Sequence, residues 1–506
     1  MSEQRTTALA DGVRMTALPD GVRVITERVE NVRSVALGFW IGTGSAMESD
    51  AQAGMSHLLE HMLFRGTLRY RSQQIDEIFD AMGAEINAGT DRESTSLYTR
   101  VLDRHLERAF DVAADMVWRP RFEELDAERQ VVLEEIAMYE DDPQDRVFDL
   151  LGEAVFGAHP LGRATIGTAE VVGAVTLERL RSFHAERYAP RRIVIAAAGS
   201  VDHDALVELA RAAGPGRDAS AAPDGRVRAG ADGAGAENGS SPATSGSSPA
   251  TSGSSPASPG SSPASPGSSP ATPGSSPGAA SAPLPDHYAA VPGPQFERRV
   301  RFLSKDTEQY HVCLGGRGIS RHDERRFALR VLEGVLGSTS SSRLFQEVRE
   351  RRGLAYSVFS FSSQYAATGE VGLYVGTRPD NLDEALDTIA RELERFIEDP
   401  ASPQELDRSR ENLKGRVALS LESTAARMNR LGSALLGDLP ILSVDEIVDR
   451  IDAVQVADLR ELARELFAPE TLSAAGIGAE EEIFRRALAP LENVPARARA
   501  MIGARR

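Results

Sequence analysis

The sequence predicts an α+β fold of two homologous domains, each a mostly antiparallel sheet packed with helices, joined by a disordered linker. Three observations predict it. The first is an internal duplication. Ala174-Val175-Thr176-Leu177-Glu178-Arg179-Leu180-Arg181 runs on to Tyr188-Ala189-Pro190, and Ala453-Val454-Gln455-Val456-Ala457-Asp458-Leu459-Arg460 runs on to Phe467-Ala468-Pro469 at the same offset. Each copy reads as an amphipathic helix stopped by Ala-Pro, then an apolar strand, at 193–198 and at 472–475. The second is a change of composition at 218–285 to Ala, Gly, Ser and Pro, where a GSSPATS-like heptad recurs through 239–278. Proline in every unit and the lack of apolar a and d positions exclude a coiled coil. So little apolar surface cannot offset the entropy of ordering. The third is a mixture of helix and strand patterns without strict βαβ alternation. The resulting boundaries are 1–217, 218–285 and 286–490, with a basic tail over 491–506.

In the first half, 22–26 and 35–41 read as strands and Gly42-Thr43-Gly44 as a turn. A helix over 52–64 is closed by Gly66. Next come a helix at 72–82, strands at 84–90 and 94–102, and helices at 104–118 and 122–140. The comparable helix of the second half, 322–336, has one histidine and no partner for it.

Composition excludes several functions. With 57 basic against 75 acidic residues, a nucleic-acid partner is not expected. The single cysteine, Cys313, allows no internal disulfide. Residues 1–30 carry Glu3, Asp11, Asp20 and Glu27 and lack the apolar run of a secretory signal, and no stretch is apolar enough to span a bilayer. A cytoplasmic protein without a membrane partner is expected.

The chemistry is concentrated at His57-Leu58-Leu59-Glu60-His61. Histidines four residues apart lie about 40° from each other around a helix, so both can grip one metal ion. Glu60 sits about 60° from His57 on the same side, within reach of a water at that metal. Met55, Leu58, Leu59, Met62 and Leu63 form an apolar stripe, while His57, His61 and Phe64 share another face. A helix apolar on nearly all sides is buried, which sets these histidines apart from incidental surface residues. Catalytic zinc takes three protein ligands and keeps one position open. On the helix at 122–140, Glu128, Val131, Val132, Glu135 and Tyr139 form one stripe. A carboxylate there needs a metal or a charged partner, so Glu135 and Glu128 are both candidates. Glu134, turned about 100° from Glu135, is expected to face solvent.

These residues resemble the pitrilysin/insulinase family of zinc metallopeptidases, in which HxxEH inverts the order of HExxH. The branch most resembled holds the mitochondrial processing peptidase β subunit and its bacterial relatives. His57-Leu58-Leu59-Glu60-His61-Met62-Leu63-Phe64-Arg65-Gly66-Thr67 matches the family's helix, and Glu128-Arg129-Gln130-Val131-Val132-Leu133-Glu134-Glu135-Ile136 its downstream helix. The resemblance implies a zinc endopeptidase with one Zn²⁺ per chain held by His57, His61 and Glu135, supported by Glu128, with Glu60 as general base. It implies that Ile86-Asn87-Ala88-Gly89-Thr90 is an edge strand taking an extended peptide, with Phe64, Asn87 and Ala88 in the peptide site. Ser342-Arg343-Leu344-Phe345, continuing to Gly353-Leu354-Ala355-Tyr356, resembles the segment that supplies Arg349 and Tyr356 to the substrate. The partners implied are peptides and a second subunit, in a homodimer or a pair of homologous subunits enclosing the peptide, with Arg349 and Tyr356 of one chain completing the site of the other. Asp145 and Asp149, four apart, read either as acids at a helix start or as a pocket for an arginine near the scissile bond, as similar positions form in the mitochondrial processing peptidase. The rival readings are an inactive core or scaffolding subunit of the same fold, and a module recruited through the proline-bearing linker. GSSPASP lacks the basic and aromatic flanks such recognition uses.

Overall fold

The computed structural model describes residues 5–10, 12–214 and 293–492. The expected linker at 218–285 and the basic tail beyond Glu492 lie outside the described residues. The first half is a seven-stranded sheet in the order β1-β2-β3-β7-β4-β6-β5. Its strands are β1 (Arg5–Ala10), β2 (Val13–Ala17), β3 (Arg23–Arg28), β4 (Ser34–Ile41), β5 (Glu85–Thr90), β6 (Thr95–Leu102) and β7 (Ile193–Gly199). Only β3 and β7 run parallel, because the chain returns to β3 by a long helical crossover. The helices are α1 (Met55–Leu63), α2 (Ser72–Met82), α3 (Leu106–Trp118), α4 (Leu125–Asp141), α5 (Pro143–Phe156), α6 (Ala169–Gly173), α7 (Leu177–Arg187) and α8 (His203–Ala213).

The second half repeats this plan with five strands in the order β10-β11-β9-β12-β8. These are β8 (Val300–Ser304), β9 (Tyr310–Gly318), β10 (Ala355–Gln364), β11 (Gly369–Thr377) and β12 (Ser473–Gly478), with β12 and β8 parallel. Helices α9 (Arg326–Leu336), α10 (Leu382–Glu398), α11 (Pro403–Ser420), α12 (Thr424–Leu436), α13 (Val444–Ala453), α14 (Val456–Leu466) and α15 (Glu481–Ala487) follow in the positions of α1 and of α3 to α8. The place of α2 is taken by a π-helical turn, Phe345–Arg351. The duplicated segments at 174–190 and 453–469 thus contain α7 and α14, which lead into the equivalent strands β7 and β12.

Several expected boundaries shift, each for a local reason. The metal-motif helix starts at Met55 rather than at 52, because Gly54 at its N-cap has φ 92° and the preceding Asp50–Gln52 is a separate 3₁₀ turn. The helix expected at 322–336 starts at Arg326. The helix expected at 122–140 starts at Leu125, after Phe122 takes a left-handed φ of 61°. The β1–β2 hairpin was not anticipated.

The halves are bound by a reciprocal exchange of helices. α5, from the first half, lies on β9 and β12, and the equivalent α12 lies on β4 and β7. Leu151 and Val155 of α5 share a cluster with Cys313, Tyr374, Ala475 and Ile477. Met428 and Leu431 of α12 share one with Ile25, Ala36, Trp40 and Ala196. A glycine in each central strand admits the incoming helix. A Cβ on Gly38 of β4 would lie 2.6 Å from the Met428 sulfur, and one on Gly315 of β9 would lie 2.8 Å from Leu151 Cδ2. Buried ion pairs add to the apolar contact. Glu27 binds Arg427 and Arg430, and Glu93 binds Arg321. No helix among the described residues is long and apolar enough to cross a membrane.

Candidate metal and peptide site

α1 is held at both ends. At its start, the buried Glu48 carboxylate accepts hydrogen bonds from the backbone N–H groups of Gly54 (2.8 Å) and Ser56 (2.6 Å), two of the unpaired donors of the first turn. Burial pushes the Glu48 carboxyl up to about 7. A Cβ on Gly54 would meet the Ile166 carbonyl at 2.6 Å, so this positive-φ position takes glycine. At its end Phe64 is the C-cap, half-buried against the first-half core.

Between these anchors, His57 and His61 project side by side with ring centroids 4.7 Å apart. α4 crosses α1 and brings two glutamates to them. Glu128, 3% exposed, accepts a hydrogen bond from His61 Nδ1 at 2.8 Å and is also paired with Arg65. That bond places the imidazole proton on Nδ1 and turns Nε2 outward. Glu135 Oε2 lies 3.4 Å from His61 Nε2 and 3.8 Å from His57 Nε2. Among the described residues, His57, His61 and Glu135 are the one group whose ligand atoms converge to hold a metal ion, all within 4.8 Å of one another. Metal bonds of about 2.1 Å at tetrahedral angles place neighbouring ligand atoms about 3.4 Å apart, so this donor set fits zinc. Among the described residues, the buried His57 Nδ1 makes no hydrogen bond.

The electrostatics follow from the packing. Burial, with the neighbouring charge of His61, lowers His57 to about 4. His61 is also pulled down by burial, but its bonds to Glu128 and Glu135 outweigh this and raise it to about 9. Burial pushes Glu128 and Glu135 up, and their histidine and arginine neighbours bring both below the usual carboxylate value. Glu60 is raised, chiefly by burial, against the opposing bond from the Thr90 hydroxyl at 2.5 Å. Glu134 is exposed, as expected. Val131 is 43% exposed while Val132 is buried, so the α4 stripe turns inward at Val132 and not at Val131.

The remaining expected residues fall in two places. β5 is an edge strand alongside α1, with Asn87 exposed and Ala88 half-buried, and the Asn87 amide oxygen accepts the Ala88 N–H at 2.8 Å. Arg349 sits on the π-helical turn, and Tyr356, 77% exposed, is the bulged residue where β10 slips register against β11. π-turns and bulges both re-aim side chains. Here they stack the Arg349 guanidinium 4.4 Å above the Tyr356 ring. No hydrogen bond or ion pair among the described residues joins these two to the histidine cluster. Tyr356 instead lines a cleft of about 510 Å³ with Pro143, Gln144, His311 and Tyr374. Asp145 and Asp149 do not continue α4. Asp142 ends that helix and caps α5, where both aspartates lie. Asp149 is 3.9 Å from Arg146 and also feels Arg92, whereas Asp145 is half-buried near Asp142. Tyr139, whose hydroxyl burial raises, feels the charges of Glu135, Asp145 and Asp149 and so links the metal cluster to this acidic turn.

Sequence reasoning missed Glu48, Thr90 and the role of Arg65. The last two stand within the motifs singled out; Glu48 carries no signal, since its work depends on a loop folding back on α1.

The family model described as insulinase (peptidase family M16) matches residues 23–169, and that described as peptidase M16 inactive domain matches 174–234 and 260–413. An uncharacterized zinc protease of Streptomyces coelicolor is 38% identical over 88% of this chain and 85% of its own length. One of Bacillus subtilis is 36% identical over 88% of this chain and 94% of its own length. Among solved structures, a peptidase M16 inactive domain from Pseudomonas fluorescens superposes with a TM-score of 0.73 over 92% of this chain and 98% of that chain, at 20% identity. A protease from Helicobacter pylori gives 0.72 over 94% and 99%, at 19% identity. Those two establish the fold alone. With both halves matched and relatives above one-third identity along nearly the whole length, the chain belongs to the insulinase family, peptidase family M16.

Proposed function

We propose that the chain is a zinc-dependent metalloendopeptidase acting on peptides or unfolded segments, with Glu60 as general base. The observation that carries the reading is the convergence of His57 Nε2 and His61 Nε2 on Glu135 Oε2, with the half-buried Glu60 beside them on α1. His57, His61 and Glu135 would hold one Zn²⁺, and Glu128 would orient His61. Bound zinc supplies a Lewis acid that lowers the pKa of a water and polarises a carbonyl. Glu60 takes a proton from the attacking water as its oxygen bonds to the scissile carbonyl carbon. As the C–N bond breaks, Glu60 returns that proton to the departing nitrogen. The open edge of β5 would take the peptide as an added strand, with Asn87 and Ala88 beside its backbone and Phe64 against a side chain. The relatives named zinc proteases support the metal and the reaction class. An intact ligand set argues against an inactive scaffolding subunit. The test is zinc content with peptide cleavage. E60Q should keep about one zinc per chain and lose roughly 10²–10⁴-fold in kcat, the usual range for a general base; full activity in E60Q would sink the reading.

A second subunit, identical or homologous, would close over the peptide, because the two halves of one chain are tied by shared cores and cannot open on each other. Arg349 and Tyr356 would then complete the partner's site. Completion within one chain is the alternative; there Tyr356 shares a cleft with Pro143 and Gln144, at the start of α5, that none of His57, His61 or Glu135 lines. Mixing inactive E60Q with inactive Arg349→Ala separates the two: recovered activity requires a shared site, and none despite subunit exchange requires a site within one chain. Asp145, with Asp149 behind it, would favour arginine near the cut. An arginine preference in kcat/KM that survives D145N/D149N would remove that assignment.

A further inference from the structure

Among the described strands β5 is the outermost at one edge of its sheet, and it ends in a residue that touches the proposed base. The Thr90 hydroxyl lies 2.5 Å from Glu60 Oε2, against 3.5 Å from the Ser56 carbonyl and 3.5 Å from Thr95 Oγ1. A hydroxyl has one proton, and the charged acceptor at the shortest distance takes it. The Thr95 hydroxyl is committed elsewhere, to the Thr43 carbonyl at 3.0 Å. The hairpin turn after Thr90 is fixed from both halves of the molecule. The Asp91 carbonyl accepts the Ser45 N–H at 3.2 Å, and the Glu93 carboxylate accepts the Ala366 N–H at 3.0 and 3.1 Å besides pairing with Arg321. Thr90 therefore stands on a hairpin end that has little freedom to shift.

We propose that Thr90 is a positioning residue for Glu60: its hydroxyl holds one carboxylate oxygen, leaves the other for the water, and sets the base in register with a peptide lying along β5. The inference rests on the reading of Glu60 as general base. Two features separate it from a packing role. The contact is polar and directed, and it joins the strand that holds the substrate to the group that handles the proton.

Thr90→Val removes the hydroxyl while keeping the branched shape, and Thr90→Ser keeps the hydroxyl. Zinc-loaded T90V is expected to retain its zinc and its Tm, hold KM within about threefold, and lose about 10- to 100-fold in kcat, the range for one hydrogen bond to a charged group. T90S should recover kcat to within about threefold. Placed on E60Q, T90V should cost less than about twofold more, because the two residues act as a unit. Crystal structures of the zinc-loaded forms should show Glu60 in one rotamer in the wild type and in several in T90V. Wild-type kcat in T90V beside an inactive E60Q overturns the positioning role and leaves the base standing. An active E60Q overturns the base assignment and the positioning role together. Equal loss in T90V and T90S, or zinc loss in both, is the mark of packing and also overturns the proposal. So does a single Glu60 rotamer in T90V.

Discussion

The two halves place a pair of crossing helices at the same point of the same plan, α1 with α4 and α9 with α11, and fill the crossing in opposite ways. In the first, His57, His61, Glu128 and Glu135 stand between the helices, and the ligand atoms of three of them lie within 4.8 Å of one another. In the second, α9 turns Phe327, Leu329, Val331, Leu332, Val335 and Leu336 into a buried core. There α11 comes close. The Ser409 hydroxyl donates to the Val331 carbonyl at 2.7 Å, and a Cβ on Gly334 would lie 2.2 Å from Ser409 Oγ. The difference shows one plan carrying a converging polar set in one copy and an apolar crossing in the other. Small residues close one crossing, while the other holds a polar set whose carboxylates are balanced by histidine and Arg65. The second half still reaches the site indirectly. α12 backs the first sheet, and Arg321 with Ala366 fixes the hairpin end of β5.

The largest effect expected from breaking this arrangement is on stability. Leu151 and Met428 are fully buried and occupy equivalent places, each on a helix lent to the other half's sheet. Leu151→Ala or Met428→Ala should destabilise by about 2–5 kcal/mol, the range for a large core side chain. Both tryptophans, Trp40 and Trp118, belong to the first half. Tryptophan fluorescence therefore reports that half, while circular dichroism reports the whole. M428A, a change in the second half, should lower the fluorescence midpoint and the dichroism midpoint together. A fluorescence transition that M428A leaves in place would mean that the halves fold independently and that the exchange only decorates them.

A smaller effect, confined to the metal half, is the pH dependence of zinc binding. In the metal-free protein His61 holds a proton up to about pH 9, whereas His57, lowered to about 4, is already neutral near pH 7. Zinc needs His61 Nε2 unprotonated, so binding near neutral pH releases about one proton. Affinity should therefore rise about tenfold per pH unit from pH 6 towards 9 and level off above it, as follows from one proton exchanged for one ion. Calorimetry in buffers of different ionisation enthalpy counts the proton. A flat affinity between pH 6 and 8 would mean that Glu128 and Glu135 do not hold His61 charged.

Much of this was legible in the sequence, and the unread part has a common cause. The HxxEH turn, the Glu128 and Glu135 face of α4 and the edge strand each depend on residues close together along the chain, where helical and strand periodicities are strict, and the duplication shows as one short pattern repeated at a constant offset. The helix exchange was not legible, because Leu151 and Met428 look like ordinary core residues until the chain brings their helices onto the opposite sheet. Boundaries slipped where glycine or a left-handed residue overrides periodicity, at Gly54 and Phe122. Arg349 and Tyr356 were placed in motif only. Their stacking depends on a π-turn and a β-bulge, which no spacing rule anticipates. Glu48 and Thr90 act on α1 from other elements, the usual way that supporting residues escape a pattern search.

The smallest effect expected is that of shortening the chain between the halves. If shared cores and buried ion pairs join them, the segment between Gly214 and Gly293 contributes connection and little else. Deleting 239–278 leaves 38 of the 78 intervening residues. At about 3.3 Å per extended residue these can still reach roughly 120 Å, far more than the dimensions of one such domain require. Loop-closure entropy changes only as the logarithm of length, about 0.6 kcal/mol for each halving, and shortening acts in the stabilising direction. The deleted protein should therefore match the full chain in zinc content, in kcat/KM on a short peptide to within about twofold, and in Tm to within a few degrees. A large loss on the short peptide would show that the halves must separate during turnover and that the exchanged helices come apart, which would reverse the comparison drawn between them.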